Sequence, residues 1–119
     1  MPIASCHCGR VQIKVRQVPD SLVNCNCSIC HRYGALWAFY PANQLLIIGH
    51  PEFTKSYIWG QKSIRTMHCS VCACVTHWAP LDATLDSRCG VNARNFPKDV
   101  IAEIPVRQFD GATTWSYLD

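Results

Sequence analysis

No aliphatic run in this 119-residue chain is longer than Leu45–Ile48. A helix that crosses a bilayer needs about 20 apolar residues, so no membrane span is expected. Charge is also sparse. Only 16% of residues are charged, the formal net charge is +3, and the eleven Lys and Arg are spread along the chain. A nucleic-acid surface normally clusters its cations, so nucleic acid is not an expected partner and a small anionic ligand is the better match. The opening Met1-Pro2-Ile3-Ala4-Ser5-Cys6 has neither a basic nor an apolar region of the secretory kind, which leads to the expectation of a cytoplasmic, reducing setting. There is no repeat, no low-complexity tract, no linker and no amphipathic pattern longer than about three helical turns. What remains is a chain that is 49% hydrophobic, enough to collapse around one core. One domain over residues 1–119 is expected.

Short periodic segments make up the rest. Val11, Ile13 and Val15 alternate with Gln12, Lys14 and Arg16, the period of a half-buried strand, and Pro19-Asp20 stops it. Further strands are expected over residues 21–24, 36–40, 45–48, 75–78, 89–92 and 104–109. A hairpin is expected from 53–59 and 63–68, joined around Gly60-Gln61. A brief helical piece closed by Gly34 follows the second cysteine group, another turn or two of helix covers 98–103, and 79–87 reads as a loop. The expected fold class is mainly β: a single domain of short antiparallel strands and hairpins with little helix.

Cysteine is the abundant residue. Nine occur, and seven fall in three groups: Cys6/Cys8, Cys25/Cys27/Cys30 and Cys69/Cys72. An odd count without an export signal argues against a disulfide framework, although a Cys25/Cys30 disulfide remains an alternative. Residues two apart on a strand share a face, and Cys-x-x-Cys at a turn folds back on itself, so both spacings can bring sulfurs to the roughly 3.8 Å separation of a tetrahedral zinc site. Two pairs close a four-thiolate site, Cys6 and Cys8 with Cys69 and Cys72. The triplet supplies three ligands and no evident fourth. Four protein ligands mark a structural zinc, and three with an open position mark a catalytic one. Cys89 reads as a small buried hydrophobe, and packing is the favoured role of Cys74. His7 would point to the far face of its strand, His31 and His68 flank ligands, and His50 and His77 read as surface or satisfied side chains.

Three ordered motifs resemble the glutathione-dependent formaldehyde-activating enzyme family, also called the centromere-protein-V family. They are Ser5-Cys6-His7-Cys8-Gly9-Arg10-Val11, Cys25-Asn26-Cys27-Ser28-Ile29-Cys30-His31-Arg32 and His68-Cys69-Ser70-Val71-Cys72, with a similar tail over 104–115. The resemblance implies a β-rich, Mss4-like zinc fold with two zinc ions. Cys6, Cys8, Cys69 and Cys72 would hold the structural ion, and Cys25, Cys27 and Cys30 the catalytic one. It also implies a carbon–sulfur lyase chemistry in which the thiol of glutathione, as co-substrate, adds to formaldehyde. Arg32 is then a candidate contact for a carboxylate, and Tyr33 and Trp37 for the peptide-like body. Ala73 stands where the family usually has glycine, a position at which positive φ is costlier. A non-catalytic zinc-stabilised module for a protein or nucleic-acid partner is the alternative function. A thiol redox enzyme using Cys27/Cys30 lacks the expected βαβ setting.

Overall fold

Alternating apolar residues at 11, 13 and 15 form a strand, as their period requires. In the computed structural model, which describes residues 1–60 and 63–119, β2 (Gln12–Val15) lies between β1 (Ile3–Ser5) and β5 (Leu45–Ile48) in a three-stranded antiparallel sheet. Val11, Ile13 and Val15 are fully buried while Gln12 and Lys14 are half-buried. The remaining strands are β3 (Leu22–Cys25), β4 (Trp37–Pro41), β6 (Thr54–Tyr57), β7 (Ile64–Cys69), β8 (Val75–Pro80), β9 (Arg88–Asn92), β10 (Val106–Asp110) and β11 (Ser116–Tyr117). They form a second sheet in the order β11-β10-β3-β4-β9-β8-β7-β6. All its pairings are antiparallel except β3 with β10, which run parallel with Cys25 opposite Phe109. The domain is thus mainly β, with two short helices, α1 (Ser28–Tyr33) and α2 (Lys98–Ile101).

The main core sits between the two sheets: Ala4, Ile13 and Val15 from the small one meet Leu22, Ala38, Tyr40, Val91 and Ala93 around the larger one, with Phe96 closing the cluster. Burying an aliphatic side chain of this size contributes about 1.5–3 kcal/mol. A second cluster, around Cys6, Val11 and Cys69, lies where the β1–β2 connection meets the end of β7. A third gathers Val23, Ala35 and Trp37 with Cys30, Phe39, Trp78 and Phe109. The second cluster carries Cys6, Cys8, Cys69 and Cys72, and the third takes in Cys30.

The hairpin expected over 53–68 is present as β6 and β7, paired from Thr54↔Cys69 to Tyr57↔Thr66. Of its expected joint, Gln61 lies outside the described residues. The expected loop 79–87 begins later, because Ala79 and Pro80 still find partners in Arg65 and Ile64 of β7. Cys6-His7-Cys8 is not a strand. It is the turn between β1 and β2, closed by the Cys6 N–H on the Val11 carbonyl at 3.0 Å and the Gly9 N–H on the Cys6 carbonyl at 3.1 Å. His7 is therefore exposed on a turn rather than set on a strand's far face. β1 and β11, of three and two residues, are too short to have shown a period. Among the described residues no helix is long and apolar enough to cross a membrane.

Candidate metal centres and the cavity between the sheet and the C-terminal strap

Two turns from distant parts of the sequence build the first cysteine cluster. The β1–β2 turn supplies Cys6 and Cys8, and the β7–β8 turn supplies Cys69 and Cys72. The Cys6 and Cys8 Sγ atoms are 3.7 Å apart and those of Cys8 and Cys69 are 3.6 Å apart. A tetrahedron with Zn–S bonds of about 2.3 Å has edges of about 3.8 Å, so the spacing fits that ion. Backbone N–H groups aim at the sulfurs: Val11 donates to Cys6 Sγ at 3.3 Å, and Val71 and Cys72 donate to Cys69 Sγ at 3.4 and 3.5 Å. Such donors favour thiolate over thiol. Closing the second turn requires Ala73 at φ +67°, stabilised by its N–H on the Cys69 carbonyl at 2.9 Å.

Without a metal, Cys6, Cys8 and Cys72 are shifted in different directions. Burial pushes Cys6 up to about 11. The backbone N–H of Arg10 holds Cys8 below its ordinary value. At Cys72 burial opposes ionisation but is outweighed by hydrogen bonds from Cys74 and Cys8, which bring it down to about 5. One ready thiolate beside a buried thiol is a cluster that releases protons as a cation enters.

The second cysteine cluster is built at the end of β3 and the start of α1. Cys25 ends β3, Cys27 caps α1 by accepting the Cys30 N–H on its sulfur at 3.4 Å, and Cys30 sits one helical turn on. Their three sulfurs lie within 4.8 Å of one another. Gly34, at φ +64°, ends the helix as expected, returning its N–H to the Cys30 carbonyl. Trp37 donates its indole N–H to Cys30 Sγ at 3.3 Å. Burial raises Cys30 well above the thiol range despite that bond, whereas hydrogen bonds led by the Cys30 N–H overcome burial at Cys27 and lower it. The donor set of three soft sulfurs, one already acidified, suits zinc. All nine cysteines are free thiols, so Cys25 and Cys30 are not joined by a disulfide.

The two clusters differ in surroundings. Cys25, Cys27 and Cys30 all open onto a cavity of about 500 Å³, and the four-cysteine cluster does not line it. Its walls are Val23, Tyr33, Trp37, Phe39, Trp59, Ile64, Trp78, Phe109, Trp115 and Tyr117 among others, with Arg88 at the rim. Trp78 reaches the cavity by lying across Gly90, where a Cβ would stand 2.0 Å from the indole nitrogen. The far wall is a strap formed by residues 109–117. Asn26, between two of the cysteines, fastens it. The Asn26 amide donates to Asp110 Oδ1 at 3.1 Å and its oxygen accepts the Ala112 N–H at 3.0 Å. Asp110 also accepts from the Thr113 and Thr114 backbones. Gly111 touches the cluster so closely that an added Cβ would lie 2.6 Å from Cys25 Sγ.

Of the expected ligand contacts, Tyr33 and Trp37 line this cavity, though Trp37 is only 4% exposed and its polar atom is engaged with Cys30. Arg32 does not line it. Its guanidinium donates to the Ser28 carbonyl of its own helix, and it borders an adjacent open groove with Ser28, Ile29, Tyr33, Tyr57 and Trp59. Arg88, Trp78, Trp115 and Gly111 were not singled out in the sequence. The sequence signal that could have found the tryptophans is that four occur in so short a chain. His77, expected to be surface or satisfied, is buried with Nδ1 3.0 Å from the Thr76 hydroxyl, while His50 bonds the Thr54 hydroxyl at 2.7 Å.

Comparison with known proteins follows the same lines. The sequence model of a family described as glutathione-dependent formaldehyde-activating enzyme matches residues 1–100, ending before β10. A Rhodobacter sphaeroides protein of known crystal structure is similar to this chain at 28% identity and a TM-score of 0.70, over 87% of this chain and 98% of that one. No curated protein sequence matches.

Proposed function

The chain belongs to the glutathione-dependent formaldehyde-activating enzyme family, and from that premise we propose that it is a zinc-dependent carbon–sulfur lyase joining a thiol, glutathione in the family's reaction, to formaldehyde or a similar small aldehyde. One observation carries this reading: three sulfurs with ligand spacing open onto a cavity, while the four-sulfur cluster does not line it. A zinc ion on Cys25, Cys27 and Cys30 would hold a substrate thiol as its thiolate at neutral pH and leave that sulfur in a fixed place.

The chain's own residues do the remainder. Trp37 orients Cys30 through its N–H, the Asn26 bonds with Asp110 and Ala112 hold the strap at a set distance from the cysteines, and the aromatic walls exclude water from the reacting pair. Three thiolates give a site of net charge −1 around a divalent cation, which weakens carbonyl polarisation and leaves capture and positioning as the main contribution. Holding two reactants in one geometry can lower a barrier by about 7–11 kcal/mol at best. In the net reaction the thiol sulfur forms a bond to the carbonyl carbon and the carbonyl oxygen takes up the thiol's proton, with no change of oxidation state overall. Cys6, Cys8, Cys69 and Cys72 serve as the structural site, tying the β1–β2 turn to the β7–β8 turn. Tyr33 and Trp37 contact the thiol's body within the cavity, and Arg32 can serve only a ligand that extends into the adjoining groove.

Metal analysis with adduct formation tests this. The wild-type protein is expected to carry two zinc ions and to form the hydroxymethyl thioether from carbon-13 formaldehyde and a thiol, followed by NMR. Cys27→Ala should stay folded, keep one ion and lose the reaction. Cys69→Ala should not fold, because four-thiolate capture is worth roughly 10–16 kcal/mol and the net stability of a domain is about 5–15 kcal/mol. Identical behaviour of the two variants, or one ion in the wild type, would contradict the division of roles.

A further inference from the structure

The cavity above the cysteine triplet has a chemical character narrower than that of a general thiol site. Every tryptophan of the chain lines it: Trp37, Trp59, Trp78 and Trp115. Phe39 stands edge-on to Trp78 at 6.1 Å between centroids. Among the described residues lining the cavity, Arg88 carries the only charged side chain, and its guanidinium stacks 4.3 Å above the Phe39 ring. No carboxylate lines either the cavity or the adjoining groove among the described residues. Trp115 is also held open at a cost. It sits at φ +56° and 73% exposed, fixed there by its N–H on the Asp110 carbonyl at 2.7 Å. Its indole therefore leaves apolar area exposed beside the cavity, held there by a strained backbone.

We propose that this cavity selects an aromatic thiol bearing one anionic group, as in an aryl mercaptocarboxylate, over a zwitterionic peptide thiol such as glutathione. The proposal rests on the reading above that the triplet takes a substrate thiol, and it names the class of that thiol. The aryl ring stacks between tryptophans, where edge and face contacts add to the burial of its area. Its carboxylate meets Arg88, whose stacked guanidinium is already oriented and less hydrated than an ammonium would be. Glutathione brings an ammonium with no carboxylate to receive it, and a cation taken from water without a partner is expensive. The wall that carries Trp115 lies beyond residue 100, outside the part of the chain matched by the family, so a narrower choice of thiol is a property that this chain can hold separately.

The test is a titration of the zinc-loaded, isotope-labelled protein, reading the four indole N–H signals by NMR. The probes are 4-mercaptobenzoate, its neutral counterpart 4-methylbenzenethiol, and glutathione. The expected result is that 4-mercaptobenzoate binds at least tenfold more tightly than glutathione and moves the indole signals. Arg88→Met should weaken 4-mercaptobenzoate about tenfold and leave 4-methylbenzenethiol unchanged, and Trp115→Ala should weaken both aryl thiols. Both residues are exposed and outside the core, so the variants should fold. Glutathione binding as tightly as 4-mercaptobenzoate overturns the proposal and leaves the proposed function standing. Equal weakening of both aryl thiols by Arg88→Met also overturns it. If no thiol of any class moves the signals while zinc fills the triplet, both readings fall together.

Discussion

Replacing Gly111 by alanine should empty one metal site and leave the other intact. The new Cβ would lie 2.6 Å from Cys25 Sγ and 3.3 Å from Cys27 Cβ. Ordinary contact between such atoms is about 3.5–4.0 Å, so one side must retreat by about 1 Å. Neither side is free to do so. The strap is bound to Asn26 through Asp110 and Ala112, and Asn26 lies between the two cysteines that the methyl group would push. Metal–sulfur bonds tolerate departures of about 0.2 Å, so a 1 Å shift of one ligand exceeds the tolerance several-fold. Perturbing the immediate surroundings of a metal ligand commonly costs 10–100-fold in affinity, and displacing the ligand itself should cost no less. Competition with a chromophoric chelator would measure the loss, and circular dichroism would establish that the domain stays folded. Zinc content should fall from two ions to one. Triplet affinity within twofold of wild type would refute the packing argument, because the methyl group would then have been accommodated without moving sulfur.

Other perturbations test other parts of the account. Gly49 lies at φ +85°, and a Cβ there would be 2.0 Å from the Arg10 carbonyl oxygen. Gly49→Ala should therefore destabilise the turn that carries Cys6 and Cys8, lowering the thermal midpoint by several degrees and loosening the four-cysteine metal site in chelator competition. Ala73→Gly, at φ +67°, removes left-handed strain of about 1 kcal/mol, and denaturant unfolding should find the variant as stable as the wild type or more so. Burial, with a smaller contribution from His50, lowers His77 to about 4. The unfolded chain therefore binds more protons than the native state between pH 4 and its ordinary value of about 6.5. At about 1.36 kcal/mol per pH unit this is about 3 kcal/mol of stability, fully present above pH 6.5 and lost as pH falls toward 4. His77→Phe should flatten that part of the acid limb relative to wild type in denaturant melts, and an unchanged difference between the two from pH 7 to pH 4.5 would refute the assignment.

The parts of the molecule legible in the sequence are those in which neighbours along the chain decide the outcome. Val11, Ile13 and Val15 declare β2 by their period, and Gly34 closes α1 because only a left-handed residue can return an N–H to the Cys30 carbonyl. The grouping of the cysteines was equally local, since two residues apart or three apart is enough to bring sulfurs together. The reason given for Cys6 and Cys8 was nevertheless incomplete: they converge by a turn, not by sharing a strand face, because β1 and β2 are a hairpin and Gly9 at φ +84° bends the chain back. The cavity was not legible. Trp37 and Tyr33 were marked by their nearness in sequence to the triplet, but the opposite wall comes from 109–117, brought in only by the parallel pairing of β10 on β3. Arg88 is a single cation in the sequence, and its place at the rim depends on the register Pro41↔Arg88 and on the Phe39 ring beneath it. Arg32 illustrates the converse: adjacency to Cys30 and Cys27 suggested a ligand contact, yet one helical turn carries its guanidinium to the Ser28 carbonyl and the neighbouring groove.

The central claim is that sulfur is divided between one centre of four protein ligands and one of three that faces a cavity. Anomalous scattering collected from crystals of the zinc-loaded protein on both sides of the zinc edge tests it most directly. The account predicts two peaks, one bounded by the sulfurs of Cys6, Cys8, Cys69 and Cys72, the other by those of Cys25, Cys27 and Cys30 with a non-protein atom completing its shell from the cavity side. A single peak, or a second ion enclosed by four protein ligands with no position facing the cavity, would contradict it.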